Sequence, residues 1–343
     1  RHRQMCIRDR GNREQPFFGY VSLQAAHMPN QAPAEYVDRY NGMFDAGWDV
    51  MRETRLRRTI ELGLVPDTTT LAPPPANHRA WLDLTPEERS VSAREMQVNA
   101  GMMEAADYHL GRLLDYLDTI GALERTIVMV LSDNGAESAK TSLDGPANLG
   151  LDAIKLIEGF DTSFENLGQR RSLTAVGPEW ASVLSAPFDL YKFYASEGGL
   201  RVPLIAAGPG IAASGVEHAP VHVADLVPTI LEAAGVDYEP DQFYGRSALP
   251  MLSANSDTTY KDDESFAFEV SGNAAVYRGK WKFTRNTPPQ GDSAWRLYDL
   301  SIDPGETMDL SAQNSELFED MLVEYKSYAT HVGVYEVGPD EYA

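Results

Sequence analysis

The chain has 343 residues, 43% of them hydrophobic, and its 51 acidic and 29 basic side chains give a formal net charge of -22. That length can bury a sizeable core, in one large domain or two unequal ones, and no run of residues approaches the roughly 18 to 20 apolar positions a membrane span requires. The charge excludes nucleic acid as a partner, since phosphate binding needs a basic footprint; an anionic substrate would have to meet positive charge gathered locally.

Residues 1–10, RHRQMCIRDR, are basic and without period, and read as a leader foreign to the fold; they hold the single cysteine, Cys6, so no disulfide can form within the chain. Residues 16–24, PFFGYVSLQ, are aromatic and β-branched behind an opening proline, which predicts a buried strand. This runs into Ala25-Ala26-His27-Met28-Pro29, and from there to about residue 85 the chain is rich in Pro, Asn and Asp around one basic helical piece, MRETRLRRTIELG. Thr85-Pro86-Glu87-Glu88 forms a capping box with proline just inside the helix start. The helix it opens places Met96, Ala100, Met103, Ala106, Leu110, Leu113, Leu114 and Leu117 at spacings of three and four, and Gly121 ends it.

Thr126 to Leu131 is a continuous apolar run of strand length, the pattern of a strand covered on both faces, as in a parallel sheet. Residues 138 to about 196 show weak periodicity and many turn formers, which suits a lid or binding loop. Val202 to Ala207 reads as another strand, and Asp225 starts a helix that stops at Gly235. Helix followed by buried strand is the grammar of an α/β domain. Beyond about residue 240 come short strands at 266–270 and 275–283, the second turned at Arg278-Gly279-Lys280, then one at 295–300 and a helix from about 312 to 330. The expected organisation is therefore a leader over 1–10, an α/β domain over 11–238, and a small antiparallel sheet with a terminal helix over 239–343.

Three places can carry chemistry. Asp133-Asn134-Gly135, after the run at 126–131, is a strong turn signal. It also stands where ligands collect, outside the carboxyl end of a strand, and offers two hard oxygen ligands suited to Ca²⁺ or Mg²⁺. His27 occupies the equivalent place after the first strand and is either a structural side chain or an acid or ligand. Lys192 is either a surface lysine or, flanked by Tyr191 and Phe193, one desolvated enough to bind an anion or donate a proton.

The ordered series A-A-H-x-P, V-L-S-D-N-G-A-E, L-Y-K-x-x-x-x-E-G-G-L-R-V-P, D-L-V-P-T-I-L-E-A-A-G and L-Y-D-L-x-x-D-P-G-E, running from about residue 15 to the end, resembles the sulfatase family, in particular bacterial arylsulfatases of the alkaline phosphatase superfamily. The resemblance implies a doubly wound, mostly parallel α/β sheet with the small C-terminal antiparallel sheet. It also implies a sulfuric ester hydrolase acting on a small-molecule sulfate ester, with one Ca²⁺ ion and a formylglycine nucleophile. By this resemblance Asp133 and Asn134 match the later pair of Ca²⁺ ligands, while His27 and Lys192 match the residues that bind sulfate oxygens and assist the leaving group.

The family's nucleophile arises from the Cys or Ser of a C/S-x-P-x-R signature, and the 343 residues contain none. Cys6-Ile7-Arg8-Asp9-Arg10 has Arg8 at the proline position and lies only 21 residues before His27, too close for the family's order. With the first aspartate pair absent as well, the expectation is the C-terminal portion of a longer enzyme, inactive by itself. The resemblance leaves two rivals. A phosphodiesterase, phosphonate monoester hydrolase or phosphatase of the same superfamily tends to carry Asp-His where this chain has Asp133-Asn134; a binding protein derived from the fold would need no nucleophile.

Overall fold

The computed structural model describes residues 16–76, 78–140, 159–212 and 215–335. The basic leader, Cys6 and residues 141–158 of the expected lid lie outside the described residues. In chain order the elements are α1 (Ala34–Val37), α2 (Gly47–Glu61), α3 (Pro86–Thr119), β1 (Val128–Leu131), α4 (Gly177–Ser185), α5 (Glu197–Leu200), β2 (Leu204–Ala207), α6 (Leu226–Ala233), α7 (Leu249–Leu252), β3 (Ser265–Val270), β4 (Asn273–Arg278), β5 (Trp281–Arg285), β6 (Trp295–Asp299) and α8 (Ser315–Val332).

Helix α3 begins as its sequence requires. The Glu88 amide donates to Thr85 Oγ1 at 3.2 Å while the Thr85 amide donates to Glu88 Oε2 at 2.7 Å, so two of the orphan donors of the first turn are satisfied reciprocally. Its burial departs from a one-sided stripe. Ala93 and residues 95–99 are buried around most of the circumference, and Val98 and Met102 pack with Ala32 and Val37, whereas Met103 is 51% exposed. The cause is α1 lying directly on the helix: a Cβ at Gly101 would stand 2.8 Å from the Val37 backbone, so the contact face is set by that close approach and not by the apolar period alone.

Three tryptophans centre the core of the first part. Trp48 on α2, Trp81 and Trp180 on α4 meet edge to face with ring centroids 4.8 to 5.8 Å apart, the arrangement favoured by the aromatic quadrupole. Their indole donors are met where they are buried: Trp48 Nε1 donates to the Arg79 carbonyl at 2.9 Å and Trp180 Nε1 to the Ser92 carbonyl at 3.1 Å. Gly47, at φ +80°, lies so close to the Trp81 ring that a Cβ would fall 2.1 Å from Cγ.

Residues 16–24 differ from the buried strand expected of them. They run extended but join no ladder, and their side chains face solvent, Phe18 and Tyr20 each 69% exposed. A strand is stabilised by its neighbours, and among the described residues none pairs with this segment. Both later runs do form strands, and they pair with each other antiparallel, Val128 opposite Ala207 and Leu131 opposite Leu204. The parallel character read from the run at 126–131 is thus not carried by this pair, and its faces are only partly covered, with Ile205 exposed.

The C-terminal part follows its sequence closely. Strands β3 to β6 form a four-stranded antiparallel meander in chain order. The β4–β5 turn falls at Gly279-Lys280, with Arg278 opposite Trp281. Helix α8 covers one face through Phe318, Met321 and Tyr325, which pack on Val276, Phe283, Trp295 and Leu297; Phe283 and Trp295 stack at 4.4 Å. Gly333, at φ +75°, ends the helix. No described helix is long and apolar enough to cross a membrane.

Candidate active site

Because β1 and β2 run antiparallel, the carboxyl end of β1 lies beside the amino end of β2. The segment leaving β1 carries Asp133-Asn134-Gly135; the segment entering β2 carries Lys192 and α5. They are joined by backbone hydrogen bonds, from the Gly135 amide to the Gly199 carbonyl at 2.9 Å and from the Lys192 amide to the Ala136 carbonyl at 3.0 Å. Glycine is required here by proximity. A Cβ at Gly135 would lie 1.8 Å from the Gly198 carbonyl oxygen, and one at Gly199 would lie 2.1 Å from that of Tyr194. The Asn-Gly pair that reads as a turn in the sequence is therefore a bend whose glycine admits a neighbouring backbone.

Lys192 and His27 meet at a residue the sequence reading did not single out. Lys192 Nζ donates to Glu137 Oε2 at 2.7 Å, and His27 Nε2 lies 3.8 Å from the same oxygen. The other Glu137 oxygen, Oε1, accepts from the Ala139 amide at 3.1 Å. His27 Nδ1 is 2.7 Å from the Met28 carbonyl; a carbonyl only accepts, so Nδ1 carries the hydrogen and Nε2 is the nitrogen turned to Glu137. The His27 side chain is 54% exposed, against 18% for Lys192 and 16% for Glu137, so the trio opens to solvent on the histidine side. The segment after His27 is tied down by the Asn30 amide, which donates to the Thr174 carbonyl at 2.7 Å, and that strip leads into α4, where the Gly177 amide donates to the Ala139 carbonyl at 2.9 Å.

Asp133 is exposed and Asn134 half-buried, with the Asn134 amide nitrogen donating to the Gly135 carbonyl at 2.8 Å. Their side-chain oxygens are of the hard kind Ca²⁺ takes, but Ca²⁺ takes about six to eight of them. Among the described residues no group of three or more His, Cys, Asp or Glu side chains could hold a metal ion. The pair fits Ca²⁺ as part of a larger oxygen set.

Behind the Lys192 segment lies a buried charge network that sequence patterning does not show. Lys282 on β5 has no exposed side-chain surface; its Nζ donates to Glu197 Oε1 at 2.9 Å and stands 2.9 Å from Glu306 Oε1, the second contact lacking the alignment of a hydrogen bond. The Tyr277 hydroxyl donates to Glu197 Oε1 at 2.7 Å, and the Glu197 amide to Glu306 Oε2 at 2.6 Å. Burial pushes the Glu306 carboxyl up to about 8, with Glu197 and Asp189 adding to the rise and Lys282 opposing it. Burial acts on Glu197 in the same sense, but Lys282 and Arg201 outweigh it and hold that carboxyl below its ordinary value. Glu197 opens α5, so this network anchors the segment bearing Lys192 to the C-terminal sheet.

A cavity of about 280 Å³ lined by Glu217, Asp257, Asp262 and Glu264 is acidic and lies apart from this trio, so it does not suit an anion.

The sulfatase family profile matches residues 4–236, and that of the N-sulphoglucosamine sulphohydrolase C-terminal region matches residues 188–327. The chain belongs to the sulfatase family. It is 36% identical, over 96% of its length, to an uncharacterized sulfatase of Schizosaccharomyces pombe, and 33% identical, over 73%, to an arylsulfatase of Klebsiella aerogenes. It spans 61% and 53% of the lengths of these two relatives.

Two solved structures share the fold. A crystal structure of Ps i-CgsB in complex with k-i-k-neocarrahexaose superposes with a TM-score of 0.58 at 21% identity, covering 93% of this chain and 51% of that one. That of a putative sulfatase from Bacteroides fragilis gives 0.50 at 16%, covering 87% and 50%. The α/β architecture with a small C-terminal antiparallel sheet and terminal helix is thus shared with these structures.

Proposed function

We propose that this sulfatase-family chain carries the sulfate-binding and leaving-group side of a sulfuric ester hydrolase, of arylsulfatase type, acting on a small-molecule sulfate ester. The observation that supports this reading is the convergence of Lys192 and His27 on one carboxylate oxygen, beside the segment that holds Asp133 and Asn134. In a chain of net charge -22, two nitrogen groups facing one point are the local exception an anionic substrate needs. Lys192 would bind a sulfate oxygen as a point charge. His27, open to solvent and fixed by its Nδ1 hydrogen bond, would present Nε2 to the departing oxygen, where a positioned acid is required; it can donate there only as the imidazolium, with a proton on each nitrogen.

Asp133 and Asn134 would hold a Ca²⁺ ion together with oxygens beyond this pair. Such an ion, when bound, polarises sulfate oxygens and lowers the pKa of the attacking hydroxyl, a hydroxyl that in this reading belongs to a formylglycine outside the 343 residues. Residues 11–238 hold the site, and residues 239–343 brace it through Lys282.

The test supplies a sulfatase segment bearing C/S-x-P-x-R upstream of Pro16 and compares 4-nitrophenyl sulfate with 4-nitrophenyl phosphate. Sulfate is expected to be the better substrate, and Lys192→Ala to lower kcat/KM for it by roughly 10² or more, the scale of one lost electrostatic donor. Preference for phosphate by orders of magnitude would sink the sulfatase reading in favour of a phosphodiesterase or phosphonate monoester hydrolase.

A further inference from the structure

Glu137 is the unexpected member of the site. A carboxylate is the wrong charge for a wall that binds sulfate, yet it sits where Lys192 and His27 converge, at 2.7 and 3.8 Å from the two nitrogens. Its Oε1 is held by the Ala139 amide, which leaves Oε2 to face the pair. The Lys192 side is secured by its own backbone bond to Ala136, so lysine and carboxylate are presented to each other by a single pair of joined segments. Both side chains are mostly covered, which strengthens the charge-assisted bond relative to one in open water.

We infer that Glu137 is an internal counter-ion that competes with sulfate for Lys192 and His27, so that an arriving oxyanion must displace its carboxylate from both. This rests on the proposed reading of His27 and Lys192 as sulfate-binding groups. Lys192 has three donors but one charge, and a sulfate oxygen placed where Glu137 Oε2 stands would meet like charge. Binding an anion therefore costs the existing ion pair. The consequence is selectivity by strength: weakly held anions leave the pair intact, whereas an ester anchored elsewhere as well can open it. Glu137 in this role differs in sign from a residue that merely positions Lys192. Loss of a positioning group would weaken sulfate binding, and loss of a competitor strengthens it.

The test uses the purified 343-residue chain and inorganic ³⁵S-sulfate in equilibrium dialysis at low ionic strength, with residue-resolved reductive methylation of lysines as a second readout. Glu137→Gln keeps the side chain's size and removes its charge. It is expected to tighten sulfate binding at least ten-fold, while Glu319→Gln on the exposed face of α8 changes it less than two-fold. Adding Lys192→Ala should abolish the gain. Methylation of Lys192, relative to the other lysines, should rise in Glu137→Gln without any sulfate present.

Sulfate binding that depends on Lys192 but is unchanged or weaker in Glu137→Gln overturns the competition and leaves the sulfate site standing. A rise in Lys192 methylation with no sulfate bound by either protein overturns both. Unchanged methylation overturns the ion pair on which the inference is built.

Discussion

Lys282→Met replaces a fully buried ammonium with an apolar side chain of similar length, leaving Glu197 and Glu306 facing one another, with Arg201 at 3.8 Å from Glu197 as the remaining neighbouring cation given by the ion pairs. Removing one partner from a buried ionic group costs about 3–5 kcal/mol, a large part of the roughly 5–15 kcal/mol that holds a domain folded. The cost depends on pH in a definite sense. Burial has already raised Glu306 to about 8, against an ordinary 4.5, so between those values the folded protein holds a proton that the unfolded chain has released. Stability from this group is therefore lost as pH rises through that window.

Taking away the ammonium, which opposes the rise, makes the charged form of both carboxylates still less favourable. The variant should lose about 3–5 kcal/mol at pH 9 and clearly less at pH 6, where protons can replace the missing charge. Urea denaturation followed by tryptophan fluorescence at the two pH values measures this. A loss below about 1 kcal/mol at pH 9, or a loss as large at pH 6 as at pH 9, would refute the reasoning, because either result means the carboxylates are not sharing a buried charge.

Four further outcomes are expected. Burial holds the His222 imidazole below its ordinary 6.5, outweighing the opposing pull of Asp225, so the fold keeps it neutral and loses stability as pH falls below about 6.5; His222→Gln should flatten the acid side of the stability profile between pH 6.5 and 5, read by thermal unfolding. Asp225 accepts from the His222 amide at 2.7 Å, the Arg246 amide at 2.8 Å and the Tyr260 hydroxyl at 2.6 Å; Asp225→Ala strands these donors and should cost roughly 3 kcal/mol or more, and a urea midpoint within error of wild type would contradict it. Gly135→Ala forces a Cβ against the Gly198 carbonyl, with an expected cost of about 1–3 kcal/mol and faster hydrogen exchange at the Gly135 and Lys192 amides. By itself the chain, which has no C/S-x-P-x-R signature, is expected to turn over no 4-nitrophenyl sulfate, a result that sustained turnover by the purified protein would contradict.

Local chemistry was legible wherever a residue acts through its immediate neighbours. The capping box at Thr85 and Glu88, the Gly279-Lys280 turn, and helices ending before Gly121 and Gly235 all follow from short-range rules, because the atoms that decide them lie within a few residues. The meander of β3 to β6 was legible for the same reason, its strands being joined by short connections. Residues 16–24 failed as a buried strand because aromatic and β-branched content records a preference for pairing and cannot provide the partner. Met103 failed as a core residue because the approach of Val37 to Gly101 chose a different face of α3.

Asp133, Asn134, His27 and Lys192 could be nominated from residue type and order along the chain. Glu137 closes the V-L-S-D-N-G-A-E motif three positions after Asn134, yet the motif gives it no role until a lysine 55 positions away is found on it. Glu306 likewise closes the L-Y-D-L-x-x-D-P-G-E motif without a role, and Lys282 was hidden altogether, since a buried charge looks like any surface charge until its partners are known. The sequence by itself determined the α/β class and the C-terminal sheet and helix, and it nominated the side chains proposed to do chemistry, because these depend on composition, period and motif order. The tertiary structure alone decided that the β1 and β2 ends meet antiparallel, so that the Asp133 corner and the Lys192 segment share one edge, with Glu137 between the two nitrogens. Strand direction is set by contacts between residues far apart in the chain, and no local pattern encodes it.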